Sequence, residues 1–209
     1  MSTQIPCFRY NSAIVRAPSA MVVNGLRAKD RGNPDYESVK AEHEAYQSAL
    51  KSVGVDVTVL PELSAFPDSM FVEDPALVFT EGAILLRPGA PTREGEAARL
   101  APVLQEKFDK VLTLPPPGYA AGGDVLVLPK SVMIGLSSRT NLVGATALIE
   151  CLRELGYNGE IVSTPEDVLH FKTGCSLLDE ETVLLTSRMA QSDIFAGFRR
   201  VVLPVGEEP

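Results

Sequence analysis

Apolar positions between residues 34 and 60 change period once. Val39, His43, Tyr46, Leu50 and Val53 recur at helical spacing, after which Val55-Asp56-Val57-Thr58-Val59-Leu60 alternates as a half-buried strand does. The pattern predicts a helix over 34–53 feeding a strand at 55–60. Two short apolar runs follow, at 76–79 and 83–86, separated by the turn-like Thr80-Glu81-Gly82. A helix is expected from Thr92, a residue type that caps helix starts, to Phe108, and then a strand at 111–114. The order is β-β-α-β.

After Pro115-Pro116-Pro117-Gly118 the order restarts. Strands are expected at 125–128 and 132–136, then a helix from Asn141 to Leu155 stopped by Gly156, and a strand near 160–164. Asp74 precedes the first strand of one unit and Asp124 that of the next, an offset of 50 residues that persists to the last strand. A third copy begins at 176–178 and 183–186, passes through a short polar segment and reaches 200–203. A fixed period of this length reads as a repeat architecture, in which each unit buries its faces against neighbours. Repeats arranged radially must close a ring. An α+β sandwich with coincidental spacing is the alternative reading.

Composition narrows the class of function. With 209 residues, 45% of them hydrophobic and 22% charged, the chain has the make-up of one globular domain. It carries 19 Lys+Arg against 27 Asp+Glu, a formal charge of −8 with no basic run, which excludes an electrostatic nucleic-acid footprint and suits a small cationic substrate. No stretch approaches a membrane span and no h-region follows a basic start, so a soluble, cytoplasmic protein without a membrane partner is expected. Cys7, Cys151 and Cys175 form no CxxC pair, which argues for reduced thiols and against a zinc site.

Candidate chemistry gathers at strand ends. Phe66-Pro67-Asp68-Ser69-Met70-Phe71-Val72-Glu73-Asp74-Pro75 places three carboxylates and an aromatic ahead of a buried strand, a set that can hold a planar guanidinium by its edge and face. The same acids can simply cap turns beside Pro67 and Pro75. Arg87, Arg93 and Arg139 follow second strands, where arginine clamps a carboxylate or pairs with a surface acid; Ser137, Ser138, Thr140 and Asn141 are ordinary helix-start residues. His43 lies on an apolar helix face and reads as a packed ring, whereas His170 stands at the junction of a loop and the third unit, suited to a general base or to structure. Cys175 is offset from His170 by an odd number, so one extended run would point the two apart unless Thr173-Gly174 breaks it. Cys7 and Cys151 read as core or edge residues. Ala121-Gly122-Gly123-Asp124 offers a close backbone approach to a ligand.

Five segments in order, Phe71-Val72-Glu73-Asp74, Arg87-Pro88-Gly89-Ala90, Gly122-Gly123-Asp124, Gly135 to Asn141 and Leu169 to Gly174, closely resemble the dimethylarginine dimethylaminohydrolase family, bacterial forms especially. The resemblance runs from Ile14-Val15-Arg16-Ala17-Pro18 onward. It implies a pentein-type five-bladed α/β propeller of ββαβ units, here a single domain over 1–209 lacking its C-terminal unit. It also implies hydrolysis of Nω-methylated arginines to citrulline and a methylamine, without metal or organic cofactor. His170 matches the family's general acid and base. Glu73 and Asp74 match the guanidinium-side acids, and Asp68 an acid at the amino-acid end of the substrate. Phe71 falls within the matched pocket segment, Arg93 and Arg139 match carboxylate clamps, and Leu26 falls where the family has a mobile lid. A homodimer is compatible with the resemblance.

Two departures bear on activity. The family's acid before Gly-Gly-Asp is replaced by Ala121, which neither orients a guanidinium nor accepts a proton. None of Cys7, Cys151 and Cys175 matches the family nucleophile, which lies near the C-terminus in a further unit; Cys175 matches a non-nucleophilic position after the histidine. The expectation is a longer parent enzyme and a 209-residue chain that does not turn over methylarginine. Arginine deiminases and amidinotransferases of the same superfamily, a non-catalytic guanidino-compound binder and a structural subunit are the competing readings.

Overall fold

The computed structural model describes residues 9–27, 31–204 and 206–207. Cys7 lies outside them. The described chain falls into two compact units, residues 9–72 and residues 73 onward.

In the first unit, β1 (Ser12–Arg16) and β2 (Asp56–Leu60) pair in parallel, with α1 (Tyr36–Ser52) as the crossover between them. Asp35 starts α1 where the apolar period begins, its carboxylate accepting the Ser38 backbone N–H at 2.9 Å. His43 is buried, and its Nδ1 lies 3.0 Å from the Gln47 amide nitrogen one helical turn on, so the packed and satisfied ring expected from the sequence is found.

The second unit contains the repeat, three times over. β3 (Ala76–Phe79) and β4 (Gly82–Leu85) form an antiparallel hairpin, and β5 (Val111–Thr113) returns parallel to β4 after α2 (Ala101–Lys107). β6 (Val125–Val127) and β7 (Val132–Leu136) repeat the hairpin; β8 (Gly159–Ser163) returns parallel to β7 after α3 (Leu142–Glu154). β9 (Cys175–Leu177), β10 (Thr182–Leu185), α4 (Ser187–Ala190) and β11 (Arg199–Val202) do so again. Each copy is its own three-stranded sheet with the second strand central.

One expected element breaks. The segment 92–108 was expected as one helix, but it holds short 3₁₀ turns at Pro91–Arg93 and Ala97–Arg99 before α2 begins. Gly95 takes φ +85°, a left-handed conformation that interrupts a helix, and Pro102 is tolerated only in a first turn because it has no N–H to donate. α2 therefore starts next to the proline.

Two apolar clusters hold this unit. Leu77, Ile84, Leu86, Leu114, Val132, Ile134, Leu148 and Leu152 join the first two sheets to α3, and Phe171, Val183, Leu185, Met189 and Phe195 build the third around β10. Cys151 belongs to the first cluster and Cys175 to the second.

Candidate functional site

Three segments of the second unit deliver charged groups to one place: the approach to β3, the 3₁₀ turn Gly122–Asp124 ahead of β6, and His170 before β9. The turn is tight for a reason. A Cβ at Gly122 would lie 2.1 Å from the Glu73 carbonyl oxygen, and one at Gly123 would lie 2.9 Å from Cγ of the His170 ring. Glycine at both positions lets the backbone pass under the histidine.

Asp124, fully buried, organises this turn. Its Oδ2 accepts the Ser137 hydroxyl at 2.7 Å and the Thr140 hydroxyl at 2.6 Å, and its Oδ1 accepts the Phe171 backbone N–H at 2.9 Å. The two hydroxyls themselves accept the backbone N–H groups of Arg139 and Ala121. Asn141 caps α3, accepting Gly144 N–H at 2.8 Å, and also accepts Tyr119 N–H. The sequence suggested helix-start residues at Ser137, Ser138, Thr140 and Asn141; Asn141 caps α3, whereas Ser137 and Thr140 serve the buried carboxylate. Asp124 figured in the sequence as a marker of the repeat and not as a site residue, and the signal that would have found it is the acid fixed behind two glycines.

His170 stands between two carboxylates. Its Nε2 is 3.9 Å from Asp74 Oδ1, and its Nδ1 is 3.3 Å from Asp124 Oδ2, where it is buried without a well-aligned hydrogen bond. Asp74 in turn accepts the Gly123 N–H at 3.3 Å through Oδ1 and pairs through Oδ2 with Arg93. Arg93 is buried and holds Glu96 in a bidentate grip, Nε and Nη2 each 2.7 Å from a carboxylate oxygen. Burial opposes the charge on Arg93, but the hydrogen bonds to Glu96 and the charges of Asp74 and Glu96 outweigh it and push the guanidinium value up. One cation between two carboxylates leaves this trio negative, as a guanidinium ligand requires.

The remaining site residues fall as follows. Glu73 is mostly exposed and pairs with Lys172 Nζ at 2.5 Å. Arg139 is half-buried, and its guanidinium has no hydrogen bond or ion pair among the described residues, in contrast to Arg93. Ala121 is buried at the start of the glycine turn and presents only a methyl group there. In the first unit, Asp68 is buried and its Oδ1 accepts the Leu26 N–H at 3.0 Å, while the side chains of Leu26 and Phe71 are exposed. A Cβ at Gly25 would lie 2.9 Å from the same Asp68 oxygen, so the backbone at 25–26 closes on that acid.

Cys175 is not set against the histidine. A 3₁₀ turn at Phe171–Thr173 intervenes, and its Sγ donates to the Phe171 carbonyl oxygen at 3.3 Å. Burial pushes this thiol up to about 12, and burial with nearby glutamates pushes Cys151 up as well, so both are inert as nucleophiles at neutral pH. Because the folded protein holds the Cys175 proton more tightly than the unfolded chain, this contribution to stability is intact below about pH 9 and fades as pH rises towards 12. Urea unfolding between about pH 8 and about pH 10.5 should therefore show a steeper loss of stability in the parent than in Cys175→Ala; equal slopes would remove the assignment.

Among the described residues no group of three or more His, Cys, Asp or Glu side chains is placed to hold a metal ion, and no helix is long and apolar enough to cross a membrane.

Known proteins resemble this chain in sequence and fold. The family model described as N,N dimethylarginine dimethylhydrolase, eukaryotic, matches residues 20–170. The N(G),N(G)-dimethylarginine dimethylaminohydrolase of Pseudomonas aeruginosa is 36% identical over 95% of this chain and 78% of its own length; that of Streptomyces coelicolor is 32% identical over 94% and 75%. The crystal structure of a cysteine-to-serine mutant of the Pseudomonas aeruginosa protein, complexed with citrulline, superposes with a TM-score of 0.92 at 36% identity, covering 96% of this chain and 79% of that one.

Proposed function

We propose, from the premise that this chain belongs to the dimethylarginine dimethylaminohydrolase family, that it holds the guanidinium of an Nω-methylated arginine against Asp74 beside His170, in a fold of the pentein-propeller type. The observation that carries this reading is the histidine between two carboxylates, next to an acid cluster with excess negative charge. In the reaction of the active form a cysteine thiolate attacks the guanidinium carbon, the bond to the methylated amine breaks, and His170 gives that amine its proton. His170 then takes a proton from the water that releases citrulline and the cysteine. The desolvated carboxylate keeps the substrate cationic and electrophilic.

Within the second unit, Glu73 joins Asp74 on the guanidinium side, and Arg139 takes the α-carboxylate. Arg139 suits that task better than Arg93, because Arg93 already spends its donors on Glu96 and Asp74.

Binding without turnover is the state we assign to this 209-residue chain. Ala121 supplies no carboxylate at the position where the family has one, and Cys151 and Cys175 are buried thiols. Mixed with excess protein, asymmetric dimethylarginine should yield no citrulline above the protein-free control. Stoichiometric citrulline would overturn the inactive reading.

A further inference from the structure

We infer that Asp124 is the positioning residue for His170, fixing its backbone and setting its tautomer with the proton on Nδ1. This rests on the role proposed for His170 above, and it concerns an acid other than the one at position 121, where this chain has only a methyl group.

The protonation of the surroundings leaves one consistent answer. Thr140 Oγ1 accepts Ala121 N–H at 3.0 Å and Ser137 Oγ accepts Arg139 N–H at 2.9 Å, so each hydroxyl is free to aim its own proton at Asp124 Oδ2. The other oxygen of the carboxylate accepts the Phe171 N–H. Every hydrogen-bond partner of Asp124 is thus a donor, as an ionised carboxylate requires. The remaining neighbour of Oδ2 is His170 Nδ1, buried at 3.3 Å. An unprotonated Nδ1 there would turn a lone pair towards a negative oxygen; a protonated one gains a charge-assisted attraction even at this imperfect angle.

The consequence reaches the chemistry. With the proton held on Nδ1, Nε2 keeps its lone pair, and the exposure that the ring retains lies away from the buried Nδ1. Nε2 is also the nitrogen near Asp74, the acid proposed to meet the guanidinium. Through Phe171 N–H, Asp124 holds the chain at the residue after the histidine, so ring and backbone answer to one carboxylate. Gly123 completes the seat, since any side chain there would meet the ring.

The test uses the whole protein labelled with nitrogen-15, read by long-range imidazole correlation spectra on the alkaline side of each ring's titration. The chain has two histidines, so assignment needs only His43→Gln. His43 supplies an internal contrast, because the Gln47 amide nitrogen faces its Nδ1 and favours the proton on Nε2. For His170 the Nδ1-protonated form should dominate by roughly fivefold, as a charge-assisted contact of about 1 kcal/mol at this imperfect angle implies. Asp124→Ala should lose that dominance, and Asp74→Asn should keep it. An Nε2-protonated His170 in the parent protein overturns the inference whether or not Asp124→Ala folds, and so does an inversion caused by Asp74→Asn. No substrate is present in these spectra, so a failure of methylarginine binding would sink the functional reading and leave this result standing.

Discussion

Asp124→Ala should be the most destabilising of the single substitutions considered for this protein. It removes the acceptor shared by the Ser137 hydroxyl, the Thr140 hydroxyl and the Phe171 N–H, in a place with no exposure. Hydrogen bonds to a charged partner contribute about 1.5–3 kcal/mol each, and stranded buried donors carry a further desolvation cost. Rotation of the two hydroxyls recovers part of this. A net loss of about 4 kcal/mol is expected, which for a chain of this size lowers the melting temperature by roughly 8–16 °C. Calorimetric melting measures it, and a shift of less than about 3 °C would show that the carboxylate is not a structural hub.

Glu96→Ala should follow closely. Glu96 is almost fully buried and holds two nitrogens of the buried Arg93 at 2.7 Å. Removing it leaves a desolvated guanidinium with one carboxylate fewer, and breaking a buried pair from one side costs about 3–5 kcal/mol. The double variant Glu96→Ala with Arg93→Met removes the stranded charge and should recover much of that loss, since the apolar replacement of a buried pair is often nearly neutral. Urea unfolding of the single and double variants checks this through their midpoints. If the double variant is less stable than Glu96→Ala alone, Arg93 is stabilising through partners other than Glu96.

The repeat was legible because each unit writes its strands as short apolar runs at constant spacing. β3 falls on 76–79 and β7 on 132–136, as the runs predict, and the other strands of the repeats shift by a single residue or lose one at an end. Hairpins with parallel returns cannot be read from periodicity alone; they follow here from each helix carrying the chain back beside the central strand. The helix expected at 92–108 failed because apolar spacing outweighed Gly95 and Pro102 in that reading, and backbone chemistry overrides spacing where φ must be positive or an N–H is missing. β1 was not anticipated as a strand, since five residues that run from exposed to buried without alternation carry little pattern by themselves.

At the site, sequence reasoning found the ends of the network and missed its middle. His170, Asp74, Arg93 and Arg139 were picked out, while Asp124 figured as a repeat marker and as the end of the Gly-Gly-Asp segment, with no role assigned to its carboxylate. Glu96 and Lys172, which occupy the donors of Arg93 and the carboxylate of Glu73, gave no signal, because ion-pair partners are fixed by folding and not by spacing. The arginines at 93 and 139 look alike in sequence; only burial and their partners among the described residues separate them.

The central claim is that Asp74 beside His170 is a guanidinium seat, and titration calorimetry of the 209-residue protein with Nω-methylarginine tests it most directly. Saturable binding is predicted, weakened roughly 10- to 100-fold in Asp74→Asn with the fold intact by melting, as expected for the loss of a charged hydrogen bond. Binding of equal strength in Asp74→Asn, or no binding by the parent protein, would contradict the account.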